Sequence, residues 1–352
     1  MKLTVQIEKR YGDFLLNMEF SAEGGASLAL LGASGCGKSA ALKCVAGINR
    51  PDRGRITLDG TVLFDSGANI NLPPQRRRIG FLFQDYALFP NMTVEQNIAA
   101  ALGRSDRRRR KEKTAELMAL FRLEGLERLY PRQLSGGQRQ RTALARILAV
   151  EPLALLLDEP FSALDSFLKR QLEQELREVL DRFPGPVVWV SHDWGEAYRN
   201  CPRVCVLEDG RSAPVREMEN LMANPGTISA ARLSGCENDV SVRPGPAPEL
   251  VEIPVWGLLL RISAPWREGV RELGVRAACV RPAKPGDVNA FSCRVVQTVE
   301  DAFTVHTALC PEGAAPGAPL LWMELPKEDW AALPDRGRFW AAVCPEDLML
   351  LE

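Results

Sequence analysis

The run Gly32-Ala33-Ser34-Gly35-Cys36-Gly37-Lys38-Ser39 sets three glycines, a lysine and a hydroxyl in the spacing G-x-x-x-x-G-K-[ST]. That combination suits a polyphosphate. Backbone N–H groups can wrap a phosphate only where no Cβ blocks the approach. A helix opening at Lys38 and carrying Ala40 in its first turn adds unsatisfied amide donors and positive potential. Lys38 would reach the β- and γ-phosphates of a nucleotide, and the Ser39 hydroxyl would ligate Mg²⁺. A second group of residues completes such a site. The apolar run Leu153-Ala-Leu-Leu-Leu157 ends in Asp158 and Glu159, and open α/β sheets bind ligands at such strand tips. Asp158 suits Mg²⁺, and Glu159 suits the general base that polarises an attacking water.

Leu134-Ser135-Gly136-Gly137-Gln138 precedes another helical run. A serine and two glycines at a helix start form a second anion-binding nest. A chain that already holds phosphates in one nest has no local use for another. Two copies arranged head to tail do, because each nest can close on the γ-phosphate held by the other copy.

The elements that must position these residues are legible in the hydrophobic pattern. Short apolar runs at 27–31, 78–83, 154–158 and 187–191 read as buried parallel strands. Helical stretches at 38–46, 107–121, 136–149 and 166–182 lie between them. The order predicts an α/β domain with a mainly parallel sheet. The first twelve residues alternate polar and apolar, like an edge strand, and contain no apolar signal core. The helix at 107–121 opens on Arg107-Arg-Arg-Arg-Lys111 and turns amphipathic at Leu117, Leu120 and Phe121. Without interleaved aromatics, its basic run reads as a solvated face, so no nucleic-acid partner is expected.

At 352 residues the chain exceeds the usual single-domain range, so two domains are expected. With 46% hydrophobic and 25% charged residues and a net charge of −1, nothing global points to nucleic acid or an anionic membrane surface. The longest apolar runs span five or six residues, against roughly 20 for a membrane helix. The expectation is a cytoplasmic chain that reaches a membrane only through a partner. Nine cysteines without a CxxC pair read as free, mostly buried thiols. From about Val240, prolines and glycines separate apolar segments at 255–262, 274–280, 291–299, 320–325 and 338–343. That spacing suggests a small all-β barrel or sandwich. The domains are placed at 1–230 and 231–352.

Taken in series, these motifs resemble those of the ATP-binding cassette (ABC) family, over about 220 residues. The resemblance implies a P-loop cassette with a mainly parallel core sheet, an antiparallel β subdomain and a helical subdomain at about 85–150. A small OB-like (TOBE/MOP-type) C-terminal domain would follow. It also assigns further residues. Tyr11 would stack on adenine. Gln84 would sense the γ-phosphate and Mg²⁺. The loop Ser162-Ala-Leu-Asp165 would cross between copies, with Asp165 at the nucleotide. His192 would be the switch histidine, whereas His306, the only other histidine, reads as structural or surface. No NKxD-like guanine motif follows the loop.

Glu159-Pro-Phe-Ser-Ala-Leu-Asp165 and Gln84-Asp-Tyr-Ala-Leu-Phe-Pro90 look like the importers fed by a binding protein. The implied partners are a second copy in a head-to-tail dimer, integral membrane permease subunits and, indirectly, a substrate-binding protein. The implied location is peripheral, on the cytoplasmic side of the inner membrane. The insert at 67–72 and Leu233-Ser-Gly-Cys-Glu-Asn238 resemble the molybdate group, so molybdate or tungstate is the expected cargo. Sulfate or thiosulfate, iron, sugar or polyamine are the alternatives. The rival of a different class is a soluble ABC ATPase with a non-membrane partner.

Overall fold

The computed structural model describes residues 1–103, 106–162 and 166–352. The chain forms two compact units, Met1–Met218 and Glu219–Glu352.

The first unit is organised around one sheet. Its strands are β1 (Lys2–Tyr11), β2 (Phe14–Glu23), β3 (Ser27–Leu31), β4 (Arg53–Leu58), β5 (Thr61–Asp65) and β6 (Ile70–Asn71). These are followed by β7 (Ile79–Leu82), β8 (Ala154–Asp158), β9 (Val187–Val190), β10 (Arg203–Glu208), β11 (Arg211–Ser212) and β12 (Arg216–Glu217). The order is β6-β5-β4-β1-β2-β11-β10-β3-β9-β8-β7, with β12 paired to β10. The half from β6 to β2 is antiparallel. The half from β10 through β3, β9 and β8 to β7 is parallel.

Every residue of β8 and β9 is buried, as expected of strands covered on both faces. Their register decides where chemistry can occur. Leu30 of β3 lies opposite Val190 of β9, and Val190 opposite Asp158 of β8. Leu82 at the end of β7 lies opposite Leu157. Four parallel strands therefore finish level, and the residues that follow them meet at one edge.

The N-terminal strand is not an edge strand. β1 pairs with β2 on one side and with β4 on the other. Its alternation reports that Leu3, Val5 and Ile7 point into the core while their neighbours face solvent. Any antiparallel strand with one buried face shows that pattern, whether interior or at an edge.

Helix α1 (Lys38–Ala46) connects β3 to the antiparallel half. Its far end is closed by Arg77, the last residue of the short α2 (Pro74–Arg77), which is 1% exposed. The Arg77 guanidinium donates to Cys44 O at 2.9 Å, Val45 O at 2.8 Å, Leu72 O at 2.8 Å and Asn71 Oδ1 at 2.9 Å. All four acceptors are neutral oxygens, and two are carbonyls at the end of α1; Cys44 O also accepts from the capping Gly47 N–H at 3.1 Å. Burial pushes the pKa of Arg77 below the usual guanidinium value. Gly47, with φ 81°, caps α1; a Cβ there would lie 2.4 Å from Arg77 Nε.

Helices α3 (Val94–Ala101), α4 (Arg107–Leu120) and α5 (Gly136–Leu148) form the helical part, followed by α6 (Ser166–Leu180) and α7 (Trp194–Asn200). Arg107, Arg108 and Arg109 are exposed, and Arg108 pairs with Glu112 at 2.8 Å. The buried face of α4 differs from the expectation. Leu117 and Met118 are buried, with Phe121 just beyond the helix, but Leu120 is 48% exposed. The apolar stripe runs through 117, 118 and 121 (i, i+1, i+4), which leaves 120 to one side of it.

The second unit opens with α8 (Met218–Ala223) and α9 (Ile228–Leu233). These helices keep an ordinary composition, so the change in residue usage trails the division between units. The rest is almost entirely β. Strands β13 (Asn238–Ser241), β14 (Arg243–Pro244), β15 (Leu250–Ile253), β16 (Leu258–Arg261), β17 (Glu272–Val275) and β18 (Val280–Ala283) come first. Then come β19 (Ala290–Glu300), β20 (Thr304–Pro311), β21 (Leu321–Pro326), α10 (Lys327–Ala331), β22 (Arg338–Val343) and β23 (Met349–Leu351). They build three sheets, β13-β17-β23, β14-β15-β16 and β18-β22-β19-β20-β21, over one core that includes Val251, Trp256, Leu273, Cys293 and Met323. β20 has no counterpart among the expected segments, because its pattern mixes histidine, threonines and small residues. Buried Asn238 joins two of the sheets by donating to Val275 O at 3.1 Å and Trp322 O at 2.9 Å, and accepting from Trp322 N at 2.6 Å. All nine cysteines are free. Among the described residues no helix is long and apolar enough to cross a membrane.

Arg77→Met would strand several buried carbonyls and is expected to lower the unfolding free energy by about 3 kcal/mol. Urea denaturation reads this as a lower midpoint; an unchanged midpoint would mean that the end of α1 is satisfied without Arg77.

Candidate functional site

The glycine-rich loop leaves β3 and turns directly into α1. Gly35 and Gly37 have φ of 83° and 105°, and a Cβ at Gly37 would lie 2.8 Å from Leu16 Cδ1. Gly37 is the N-cap of α1 and supplies no side-chain acceptor. The first amides of the helix are thus left for an outside acceptor, with the positive end of the helix dipole behind them. Lys38 is buried, and its ammonium folds over the loop, donating to Gly32 O at 2.6 Å and Ala33 O at 2.9 Å. Cys36 Sγ lies 3.7 Å from the same ammonium.

One residue further on, Ser39 Oγ donates to Asp158 Oδ1 at 2.7 Å. Asp158 is 5% exposed, and burial raises its pKa; the Ser39 bond opposes the rise and the neighbouring Glu159 charge adds to it. A buried carboxylate beside a hydroxyl at a strand tip is a donor set for a small hard cation, which would remove the penalty of holding that charge.

Glu159 sits just past β8 with φ 48°. Outside glycine this left-handed conformation costs about 1 kcal/mol. The Glu159 N–H donates to Val190 O at 3.0 Å, which fixes the turn. Its carboxylate Oε2 accepts from Gln84 Nε2 at 3.0 Å and lies 3.6 Å from His192 Nδ1. Gln84 follows β7 and His192 follows β9, so the level strand ends bring all three side chains together.

Two anticipated groups stand apart from this cluster. Tyr11 ends β1 and is 37% exposed; its hydroxyl accepts from Asn49 Nδ2 at 2.9 Å and lies 3.9 Å from Cys44 Sγ, near the far end of α1. Ser135 is the N-cap of α5, with its Oγ accepting from Gln138 N at 3.3 Å and its N–H donating to Gln138 Oε1 at 2.9 Å. That reciprocal capping box uses one acceptor position of the Ser135 oxygen and does not use its hydroxyl proton. Among the described residues, the side-chain hydrogen bonds of Ser135 and Gln138 are made to each other and within α5 rather than to the phosphate loop of the same copy. Asp165 lies outside the described residues.

The general model of the ABC transporter family matches residues 15–162. A probable sulfate/thiosulfate import ATP-binding protein (CysA) of Chlorella vulgaris is 42% identical over 63% of this chain and 94% of its own length. The chain belongs to the ABC transporter ATP-binding family. It is an ATPase of that type.

Other relatives of the cassette are matched over less of their length. An Fe(3+) ions import ATP-binding protein (FbpC) of Haemophilus influenzae is 39% identical over 63% of each chain. A molybdenum import ATP-binding protein (ModC) of Paramagnetospirillum magneticum is 38% identical, over 64% of this chain and 61% of its own. Among solved structures, a dimeric ATP-binding cassette bound to ADP and phosphate is 29% identical with a TM-score of 0.53, covering 62% of this chain and 99% of that one.

The cassette also depends on polar residues that sequence reasoning passed over. Arg146 of α5 donates to Ala87 O at 2.8 Å and Tyr86 O at 3.1 Å, and its guanidinium lies 5.1 Å from the Phe89 ring centre. Tyr86 and Ala87 have φ of 63° and 42°, and Arg146 holds them there. Asn97, fully buried in α3, accepts from Phe89 N at 2.8 Å and donates to Phe89 O, Met92 O and Thr93 O at 3.0–3.1 Å. The segment after Gln84 is therefore tethered to α3 and to the helix that Ser135 caps. The signal for Asn97 was available, since a lone asparagine on an otherwise apolar helix face needs partners.

The raised pKa of Asp158 means that its protonated form favours the folded state. That contribution is complete below the ordinary Asp value and is lost as pH rises through the raised one. Without Mg²⁺, Asp158→Asn is thus expected to melt with the parent near pH 4 and several degrees above it near pH 7.5. Mg-ATP should raise the melting temperature of the parent more than that of the variant. A variant that melts below the parent at pH 7.5 would contradict the account.

Proposed function

We propose that the chain is the ATP-hydrolysing subunit of a binding-protein-dependent importer, working as a head-to-tail pair. The observation that carries this reading is the Glu159 carboxylate, held at a strand tip by Gln84, with His192 Nδ1 3.6 Å away and the adjacent Asp158 bonded to Ser39 of the phosphate loop. ATP phosphates lie on the loop amides from Gly32 to Ala40 with Lys38 at the β- and γ-phosphates, and adenine rests on Tyr11. Ser39 and Asp158 would hold Mg²⁺, which would neutralise phosphate charge. Gln84 gives its amide N–H to Glu159, and its amide oxygen would be available to the cation. Glu159 accepts a proton from the attacking water, and His192 orients the carboxylate and the γ-phosphate. Ser135, Gly136, Gly137 and Gln138 of the second copy close on that γ-phosphate, with Ser135 as a hydroxyl donor. Ser162 and Asp165 line the contact between copies. Catalysis here is positioning plus electrostatics.

Coupling runs to integral membrane permease subunits through the tethered segment after Gln84, which keeps the chain peripheral on the cytoplasmic side of the inner membrane. A substrate-binding protein delivers the cargo to those subunits. An oxyanion is the cargo this kinship favours. Sulfate or thiosulfate and molybdate or tungstate stand side by side, with iron as the alternative, so the earlier preference for molybdate is not kept. The second unit is read as an OB-like (TOBE/MOP-type) regulatory domain, on its five-stranded antiparallel sheet.

Glu159→Gln is expected to bind Mg-ATP and to lower its hydrolysis by at least about 100-fold, trapping a dimer visible by size-exclusion chromatography. Hydrolysis at the parent rate would remove Glu159 as the base. Ser135→Arg should leave nucleotide binding to the isolated chain intact and abolish turnover. Loss of binding in that variant would show that the nest serves its own copy.

A further inference from the structure

The backbone around His192 is fixed on both sides. Ser191 is buried, and its Oγ accepts from Asp193 N at 3.0 Å, across the histidine. Asp193 is the N-cap of α7, its Oδ1 accepting from Glu196 N at 3.0 Å. Yet the His192 side chain itself is 59% exposed, and among the described residues its ring approaches Glu159 Oε2 only to 3.6 Å, without a hydrogen bond to aim it. Its aim therefore depends on where Asp193 and the start of α7 are held.

One cation holds them. Lys169 Nζ lies 2.6 Å from Asp193 Oδ2 and 2.8 Å from Glu196 Oε2. The Glu196 side chain is 4% exposed, and its other oxygen accepts from the buried Trp189 Nε1 at 2.7 Å. Trp189 packs on Phe161 at 5.7 Å between ring centres, and Phe161 is two residues past Glu159. Lys169 thus closes a circuit that runs from β9 through α7 and back to the turn carrying the carboxylate. Lys169 is also in the first turn of α6.

We propose that Lys169 is a positioning residue for His192: by clamping Asp193 and Glu196 it ties the start of α6 to the histidine. Any displacement of the start of α6 by a second copy is then felt at His192. The proposal rests on the reading of His192 given above. It differs from that reading in assigning the aim of the ring to a lysine that never touches nucleotide.

The test uses steady-state Mg-ATP hydrolysis by the full chain. Lys169→Met should lower kcat by roughly 10- to 100-fold, as a misplacement of about 1 Å does, with KM within about twofold. Lys169→Arg, which keeps the charge and reach, should recover most of the rate. Because Lys169 acts only through His192, Lys169→Met should cost nothing further in a His192→Ala background. Multiplying losses, or an unchanged kcat for Lys169→Met, would overturn the proposal alone. A parent-like kcat for His192→Ala would overturn the reading of His192 as well.

Lys169→Met could act merely by leaving Glu196 buried and unpaired. Lys169→Met with Glu196→Gln removes that charge and keeps an acceptor for Trp189. A rate that stays low in this pair supports positioning through Asp193; a restored rate overturns it.

Discussion

Four parallel strands that end level are the constraint on which the rest depends. Leu30, Val190 and Asp158 stand opposite one another, with Leu82 opposite Leu157. The hydrogen-bond ladder therefore sets the phosphate loop, the paired carboxylates, the glutamine and the histidine at one edge without any of them touching to get there. A slip of one residue in any strand would turn its terminal side chain to the other face of the sheet. The buried, β-branched and leucine-rich character of β8 and β9 makes such a slip costly, because every position is already packed.

That frame was legible because parallel strands buried on both faces write themselves as short apolar runs, and because phosphate chemistry demands glycines, a lysine and a hydroxyl at fixed spacing. Strands β3 and β8 and helix α1 were readable to the residue for this reason. What escaped was set by long-range pairing. The interior place of β1 follows from its pairing with β4, whose residues lie 45 to 55 positions further along the chain (Glu8 with Arg53, Leu3 with Leu58), and local alternation carries no record of them. In the second unit, β20 hides because the buried Thr307 sits between its core residues Val305 and Leu309 and interrupts the apolar alternation.

The polar residues that fasten the site were the least visible part. Arg77, Asn97, Arg146 and Lys169 look in the sequence like ordinary charged or amide side chains. Each acquires its role only through backbone carbonyls or carboxylates that come from a different element. Their common feature is that they satisfy groups which secondary structure alone leaves without partners: the end of a helix, a tight turn in left-handed conformation, a buried carboxylate. Removing any one would expose the remainder to a desolvation cost, so they act as a fixed skeleton around a mobile chemistry.

Tyr11 carries a consequence for the choice of fuel. Its hydroxyl already accepts from Asn49 and sits against Cys44, so on the proposed reading what it would offer a nucleobase is the face of the ring. A π-face discriminates by area and not by the pattern of donors and acceptors along a base edge. A purine of either kind would rest there almost equally well. The motor would then run on whichever triphosphate the cell keeps most abundant, and its selectivity would be a property of the cell's nucleotide pools.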